Sequence, residues 1–304
     1  VCEFVFYKEF IDPLFKKTDG YNISGTIEPT AEIQQSIIIS GHYDSPHVFR
    51  FLNKNQKMYK FRIVLTLFLY FFITAISLWA SCVWITQQSL FIINQILYFI
   101  MGGGLIIMLQ YFFFVSWDVS PGAGDNLISA AMALRLADHF SNLNLKHTRL
   151  IFLCPDAEES GLRGAREYVK LHRETLQSIS TYNINMDSIY RRQDLRFLQS
   201  EINGTVPLDE NLGRKCTEIA QALGYDIPSM HMPFGGGSTD AAEFAKAGIP
   251  ALSIIGLDTT FTSGNVPYHT NFDTVEKIEP EAVLACMQIV EQFIMDIDNS
   301  ILES

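Results

Sequence analysis

The stretch Cys154-Pro-Asp-Ala-Glu-Glu-Ser-Gly-Leu-Arg-Gly-Ala165 decides the fold. The run just before it, Leu150-Ile-Phe-Leu153, is apolar at every position, as in a parallel strand buried on both faces. That strand leads into two adjacent carboxylates, Glu158 and Glu159. Gly161 and Gly164 then allow a tight turn into a helix that is expected over residues 165–170. Open α/β sheets bind their ligands at the carboxyl ends of strands, so the two acids stand where chemistry is expected. Neighbouring side chains on an extended backbone point in opposite directions. One carboxylate can then hold a metal while the other faces a substrate. A solvated acid pair on a loop is the plain alternative, and the rest of the chain decides between them.

The same pattern recurs on both sides of this stretch. A short apolar strand at residues 37–40 runs into Gly41-His42-Tyr-Asp44, where a histidine ligand would have a carboxylate within reach of its second ring nitrogen. Pro121-Gly-Ala-Gly-Asp125-Asn126 is a loop before a helix over residues 127–140; Asp125 suits a ligand on a tight loop or an ordinary helix N-cap. A strand over residues 181–186 ends at Asp187-Ser188. The glycine loop of residues 235–240 feeds a helix over 241–247, followed by a strand over 251–255. A second histidine, His269, lies in the loop Pro267-Tyr268-His269-Thr. His231 precedes the glycine loop and could line a pocket, whereas His47, His139, His147 and His172 read as ordinary surface or core residues. Further strands are expected at residues 4–11 and 20–28, with amphipathic helices at 208–223 and 280–298. Repeated strand–loop–helix units predict an α/β domain with a mixed, largely parallel central sheet and helices on both faces.

One segment breaks that pattern. Residues 63–117 contain no Lys, Arg, Asp, Glu or His. The segment divides at Thr86-Gln-Gln-Ser89 into two halves, and each exceeds the ~20 apolar residues that a bilayer crossing needs. A buried helical hairpin would keep a polar stripe, which is missing here. The predicted organisation is therefore a catalytic unit formed by residues 1–60 and 116–304, with an inserted two-helix transmembrane hairpin at 61–115 and the lipid bilayer as partner.

Composition narrows the function. The net charge of -11, with no basic run, argues against nucleic-acid binding. The five cysteines, Cys2, Cys82, Cys154, Cys216 and Cys286, are scattered and lack Cys-x-x-Cys spacing. They suggest neither a disulfide framework nor a thiolate zinc site. A start at Val1 rather than Met leads us to expect a fragment or processed product, with no N-terminal signal-like segment of its own. Nothing in the sequence defines an oligomeric state.

In order, the motifs are GHYDS, GAGDN, DAEESGLRGA, NMDS, GGGSTDAAEF with AGIPA, and YHTNFDT. Together they resemble the co-catalytic two-zinc exopeptidases, a family that includes bacterial leucyl aminopeptidases and the peptidase domain of glutamate carboxypeptidase II. The resemblance covers residues 35–295 apart from the apolar hairpin. It implies an aminopeptidase that takes peptide substrates and holds two zinc ions. It assigns His42 and Asp187 to one zinc, Glu159 and His269 to the other, and Asp125 as the bridge, with a cis peptide bond to Asn126. It makes Glu158 the general base, Asp44 the partner that orients His42, and Tyr268 an aid in polarising the substrate carbonyl.

Two other readings share this fold. A glutaminyl-cyclase-like acyltransferase would use one zinc. A receptor or scaffold of the transferrin-receptor type would have lost ligands, whereas here all five ligands and the base are present. Sidedness follows from Arg50, Lys54, Lys57, Lys60 and Arg62, which precede the hairpin, and from the uncharged turn between its helices. By the positive-inside rule the catalytic domain is expected on the cytoplasmic side of the membrane.

Overall fold

A computed structural model describes residues 7, 9, 12–86, 91–261 and 264–300. The strand expected at residues 4–11 falls almost wholly outside the described residues, as do Cys2 and most of the turn after Thr86.

The centre of the molecule is β2 (Gln35–Ser40), buried at all six positions. It pairs in parallel with β5 (Thr148–Cys154) on one side and β6 (Ser180–Ile189) on the other. β10 (Ala251–Gly256) extends the parallel set beyond β6. At one edge β1 (Ile23–Ile27) runs antiparallel to β5. At the other edge β7 (Arg196–Glu201) runs antiparallel to β10 and carries β8 (Val206–Pro207) and β9 (Ser229–His231). The order β1-β5-β2-β6-β10-β7-β8 makes the sheet mixed and largely parallel, as expected. The β7–β9 edge was not expected from the sequence: its strands are short, and β7 does not alternate.

Alternation along β2 feeds two cores. Ile37 and Ile39 face α4 (Ile128–Ser141), α6 (Glu210–Ala222) and α8 (Pro280–Ser300), packing with Leu136, Ile219 and Phe293. Ile38 faces the opposite layer, with Val169 from α5 (Arg163–Ser178) and Phe244 from α7 (Ala241–Lys246). Each such fully buried isoleucine contributes about 1.5–3 kcal/mol relative to exposure.

Asp298 near the end of α8 fastens that helix to the start of β5. Its carboxylate accepts backbone N–H bonds from Lys146 at 2.9 Å, His147 at 3.0 Å and Thr148 at 3.0 Å. Burial alone would raise its pKa, but these donors outweigh burial and lower it. A carboxylate with a depressed folded pKa stabilises the fold above its unfolded value, ~3.9, and loses that contribution as pH falls through the folded pKa. The melting-temperature gap between wild type and Asp298→Ala should therefore be full at neutral pH and shrink below ~pH 4. A gap that does not change with pH would mean that the bonds do not depend on the charge.

The apolar segment leaves this domain through a small ribbon. β3 (His47–Phe49) pairs antiparallel with β4 (Val115–Val119). Between them lie α1 (Arg50–Lys54), α2 (Gln56–Ile85) and α3 (Phe91–Leu109). α2 begins seven residues before the apolar run, because the side chain of Asn55 accepts from Met58 N and caps it. The long helices project from the domain: the most apolar windows of the two spans are only 11% and 6% buried. They are therefore not a core hairpin. β2 precedes the hairpin while β5 and β6 follow it in the same sheet, so both flanks lie on one side of any membrane that it crosses.

Candidate metal centre

Each parallel strand brings one part of a cluster to its carboxyl end. β2 stops at Ser40, and His42 and Asp44 follow. β5 stops at Cys154, and the Glu158–Glu159 turn follows. Asp187 lies within β6, because that strand continues to Ile189, beyond its expected end. The loop after β10 carries Tyr268 and His269. Asp125 comes from the turn Ala123–Leu127 that enters α4; it is not a helix N-cap.

His42 Nε2 lies 3.5 Å from Asp125 Oδ1, 3.7 Å from Asp187 Oδ2 and 3.7 Å from Glu158 Oε2. His269 Nε2 lies 3.2 Å from Asp125 Oδ2 and 3.4 Å from Glu159 Oε2. The two oxygens of Asp125 thus face two different histidine–carboxylate sets. The Tyr268 ring sits 4.0 Å from that of His269. All eight residues singled out from the sequence gather here. His231 does not: it is exposed on β9, with Nδ1 3.2 Å from Ser200 Oγ.

The acid pair diverges for a reason that differs from the expected one. The strand has already ended, and Ala157 (φ 54°) and Gly161 (φ 99°) form a tight turn. In that turn Gly161 N and Leu162 N both donate to Glu158 O at 2.8 Å. A side chain at Gly164 would collide with the Asp156 backbone, so the chain must have glycine there.

Asp44 contacts more than one part of the cluster. Its Oδ1 lies 3.3 Å from His42 Nδ1. Its two oxygens also accept Glu158 N at 3.1 Å and Glu159 N at 3.2 Å, which fixes the acid pair relative to β2. Asp273 does the same for Asp125, accepting Gly124 N at 2.7 Å and Asp125 N at 3.2 Å. In the sequence Asp273 stands out only as an acid four residues after His269. Asn126 ties the Asp125 loop to β6, donating to Met186 O at 3.0 Å and accepting Ser188 N at 3.2 Å. The Asp125–Asn126 peptide is cis.

The electrostatics are those of crowded buried acids. Burial raises the Glu158 pKa well above the carboxylate range; His42 opposes this, and Glu159 and Asp187 add to it. Burial likewise pushes Asp187 up to about 7. Burial would lower His269, but Glu159 and Asp125 lift it to about 10. For Asp125, contacts with His269 and His42 outweigh burial and hold the carboxyl well below its usual range. His42 Nε2 and Asp125 Oδ2 are buried and make no aligned hydrogen bond. Such atoms are costly unless something else satisfies them. Ligand atoms of His42, Asp125 and Glu159 lie within 4.8 Å of one another, as do those of His42, Glu158 and Asp187. Imidazole nitrogens and carboxylate oxygens at this spacing fit divalent zinc.

A mixed α/β sheet with a cluster of carboxylates and imidazoles that could hold metal, at the carboxyl ends of its strands, defines the class of this protein. Its sequence matches the pattern described as Peptidase family M28 over residues 114–294, more than half of the chain, and the chain belongs to that family. "Aminopeptidase YwaD" of Bacillus subtilis (strain 168) is 27% identical over 162 residues, covering 53% of this chain and 34% of the relative. "Putative endoplasmic reticulum metallopeptidase 1-B" of Caenorhabditis elegans is 29% identical over 167 residues, covering 54% and 17%. The chain thus spans about a third or less of the length of these relatives. The zinc aminopeptidase BSAP from Bacillus subtilis shares the fold with a TM-score of 0.55 at 20% identity, over 88% of this chain and 48% of that one. An Acidobacteriales bacterium glutaminyl cyclase does so with a TM-score of 0.57 at 18% identity, over 92% and 74%.

Proposed function

We propose that this chain is a membrane-anchored zinc aminopeptidase that removes N-terminal residues from peptides. The observation that carries the reading is Asp125, whose two oxygens face separate histidine–carboxylate sets. One zinc would be held by His42, Asp125 and Asp187, and a second by Asp125, Glu159 and His269. Zinc bound there would supply Lewis acidity toward water and the scissile carbonyl. Glu158 takes one proton from the attacking water as the water oxygen bonds to the carbonyl carbon, and passes that proton to the leaving amine as the C–N bond breaks. Asp44 holds His42 and the backbone of the acid pair in register. Tyr268 donates a hydrogen bond to the substrate carbonyl oxygen.

The purified full chain, loaded with zinc, should release free N-terminal amino acids from short peptides, as read by mass spectrometry. Loss of ammonia from peptides with N-terminal glutamine, without release of an amino acid, would instead indicate the cyclase reading. No turnover of either substrate would support a scaffold.

We also infer that α2 and α3 cross a bilayer. The uncharged part of α2, residues 63–85, measures about 34 Å along the helix axis, close to a hydrocarbon core of ~30 Å. Lys57, Lys60 and Arg62 lie at its domain-side end, and by the positive-inside rule this supports a catalytic domain on the cytoplasmic face. An endoplasmic reticulum membrane, as in one relative's name, is compatible with that side. Asn22-Ile-Ser24 and Asn203-Gly-Thr205 have the pattern of glycosylation acceptors, which matter only on the lumenal side, and Asn22 uses its side chain internally, donating to Gly164 O at 2.8 Å and accepting Asp156 N at 3.0 Å. Protease added to sealed membranes with the cytoplasmic face outward should digest the catalytic domain. Protection there, with a cytoplasmic marker digested, would reverse the orientation.

A further inference from the structure

Strand β4 is inside out for a protein in water. Side chains alternate along a strand, and a ribbon lying on a domain normally turns its apolar residues inward. In β4 the inward residue is Ser116, whereas Val115, Trp117 and Val119 point outward, 45%, 94% and 56% exposed. The buried serine is satisfied locally, donating to Asp118 Oδ2 at 3.0 Å and accepting Asp118 N at 2.8 Å. Among the described residues, nothing on the domain covers the outward apolar row.

The row continues directly from the long helices. α3 ends at Leu109, and the turn Gln110–Phe113 that joins it to β4 exposes Phe112 and Phe113. On the other strand, Phe49 pairs with Val115, and the next residue opens α1, which leads into α2. Both roots of the hairpin therefore lie on this ribbon. Lys57, Lys60 and Arg62 on the first turns of α2 sit at the same base.

We propose that the outer face of the β3–β4 ribbon, with Val115, Trp117 and Val119, lies in the interfacial layer of the bilayer that the hairpin crosses. The proposal rests on the membrane reading above. Lipid is the occupant because the row is continuous with both membrane helices and centres on tryptophan, a side chain that settles at headgroup level. The catalytic domain then rests on the membrane surface, and its metal loop is close to the lipid. Phe49 packs 4.1 Å from the His269 ring, and Ser120, just after β4, donates to Thr270 O at 2.9 Å. Peptides whose N-termini lie at the bilayer surface are the substrates that this placement favours.

The chain has three tryptophans, Trp79, Trp84 and Trp117, so single-tryptophan variants of the full chain isolate each site. Trp79→Phe with Trp84→Phe leaves Trp117; Trp79→Phe with Trp117→Phe leaves Trp84. Each is reconstituted in phosphatidylcholine vesicles, with and without bromine on the acyl chains near the headgroups. We expect Trp117 emission to be blue-shifted and to lose intensity on bromination, more with shallow bromines than with bromines at the chain ends. Unchanged Trp117 emission beside quenched Trp84 would overturn the proposal and leave the hairpin reading standing; the ribbon would then face water or a protein. If neither is quenched, the hairpin reading fails and the proposal falls with it.

Discussion

Replacing Glu158 with Gln should lower kcat by about a thousandfold, within the 10²–10⁴ range typical of a positioned acid–base group. Zinc content should stay at the wild-type level. Gln matches the size of Glu and can still accept a hydrogen bond, but it cannot take the proton of the attacking water. The metal would lose no proposed ligand, because His42, Asp125, Glu159, Asp187 and His269 are untouched. The turn should also survive, since Asp44 grips the backbone N–H groups of residues 158 and 159 rather than their side chains. KM should change little, because the lost interaction acts on the transition state rather than on bound peptide. A variant with a rate within tenfold of wild type would remove Glu158 from the role of base.

The Asp125→Ala variant should lose both metals and all measurable turnover. The two oxygens of Asp125 are 3.5 Å from His42 Nε2 and 3.2 Å from His269 Nε2, and among the described residues no other carboxylate pairs with both histidines. Alanine removes one of three proposed protein donors from each zinc and leaves the remaining buried acids without their shared centre. Atomic absorption should fall from two zincs per chain to less than one. One tightly held zinc in the wild type, or two retained in the variant, would contradict a bridging carboxylate. The first result would also move the protein toward the one-zinc reading. Run on the same preparations, the two variants separate chemistry from metal binding: Glu158→Gln should keep metal without turnover, and Asp125→Ala should keep neither.

Local sequence determined the strands that matter most. Ile37-Ile-Ile and Leu150-Ile-Phe-Leu153 are short all-apolar runs, and such runs become central parallel strands because only a doubly covered position buries them. Since parallel α/β sheets present chemistry at strand ends, the residues just after these runs could be read as ligands without a structure. The membrane-length helices were equally legible, because a missing charge over 55 residues is a property of composition.

What tertiary structure alone decided depends on pairs far apart in the chain. Asp44 clamps the Glu158–Glu159 backbone from 114 residues away, and Asp273 clamps Asp125 from 148 residues away. No local period encodes which backbone N–H a carboxylate will meet, because topology brings the two together. The β7–β9 edge was hidden for a related reason: its short strands get their stability from neighbours rather than from their own pattern. The inverted face of β4 belongs with these. Val115 and Trp117 read in sequence as the tail of the charge-free segment, and Val119 as part of the polar chain that follows it. Only the pairing with β3, which turns Ser116 inward, shows that these three side chains leave the domain and need a partner outside it.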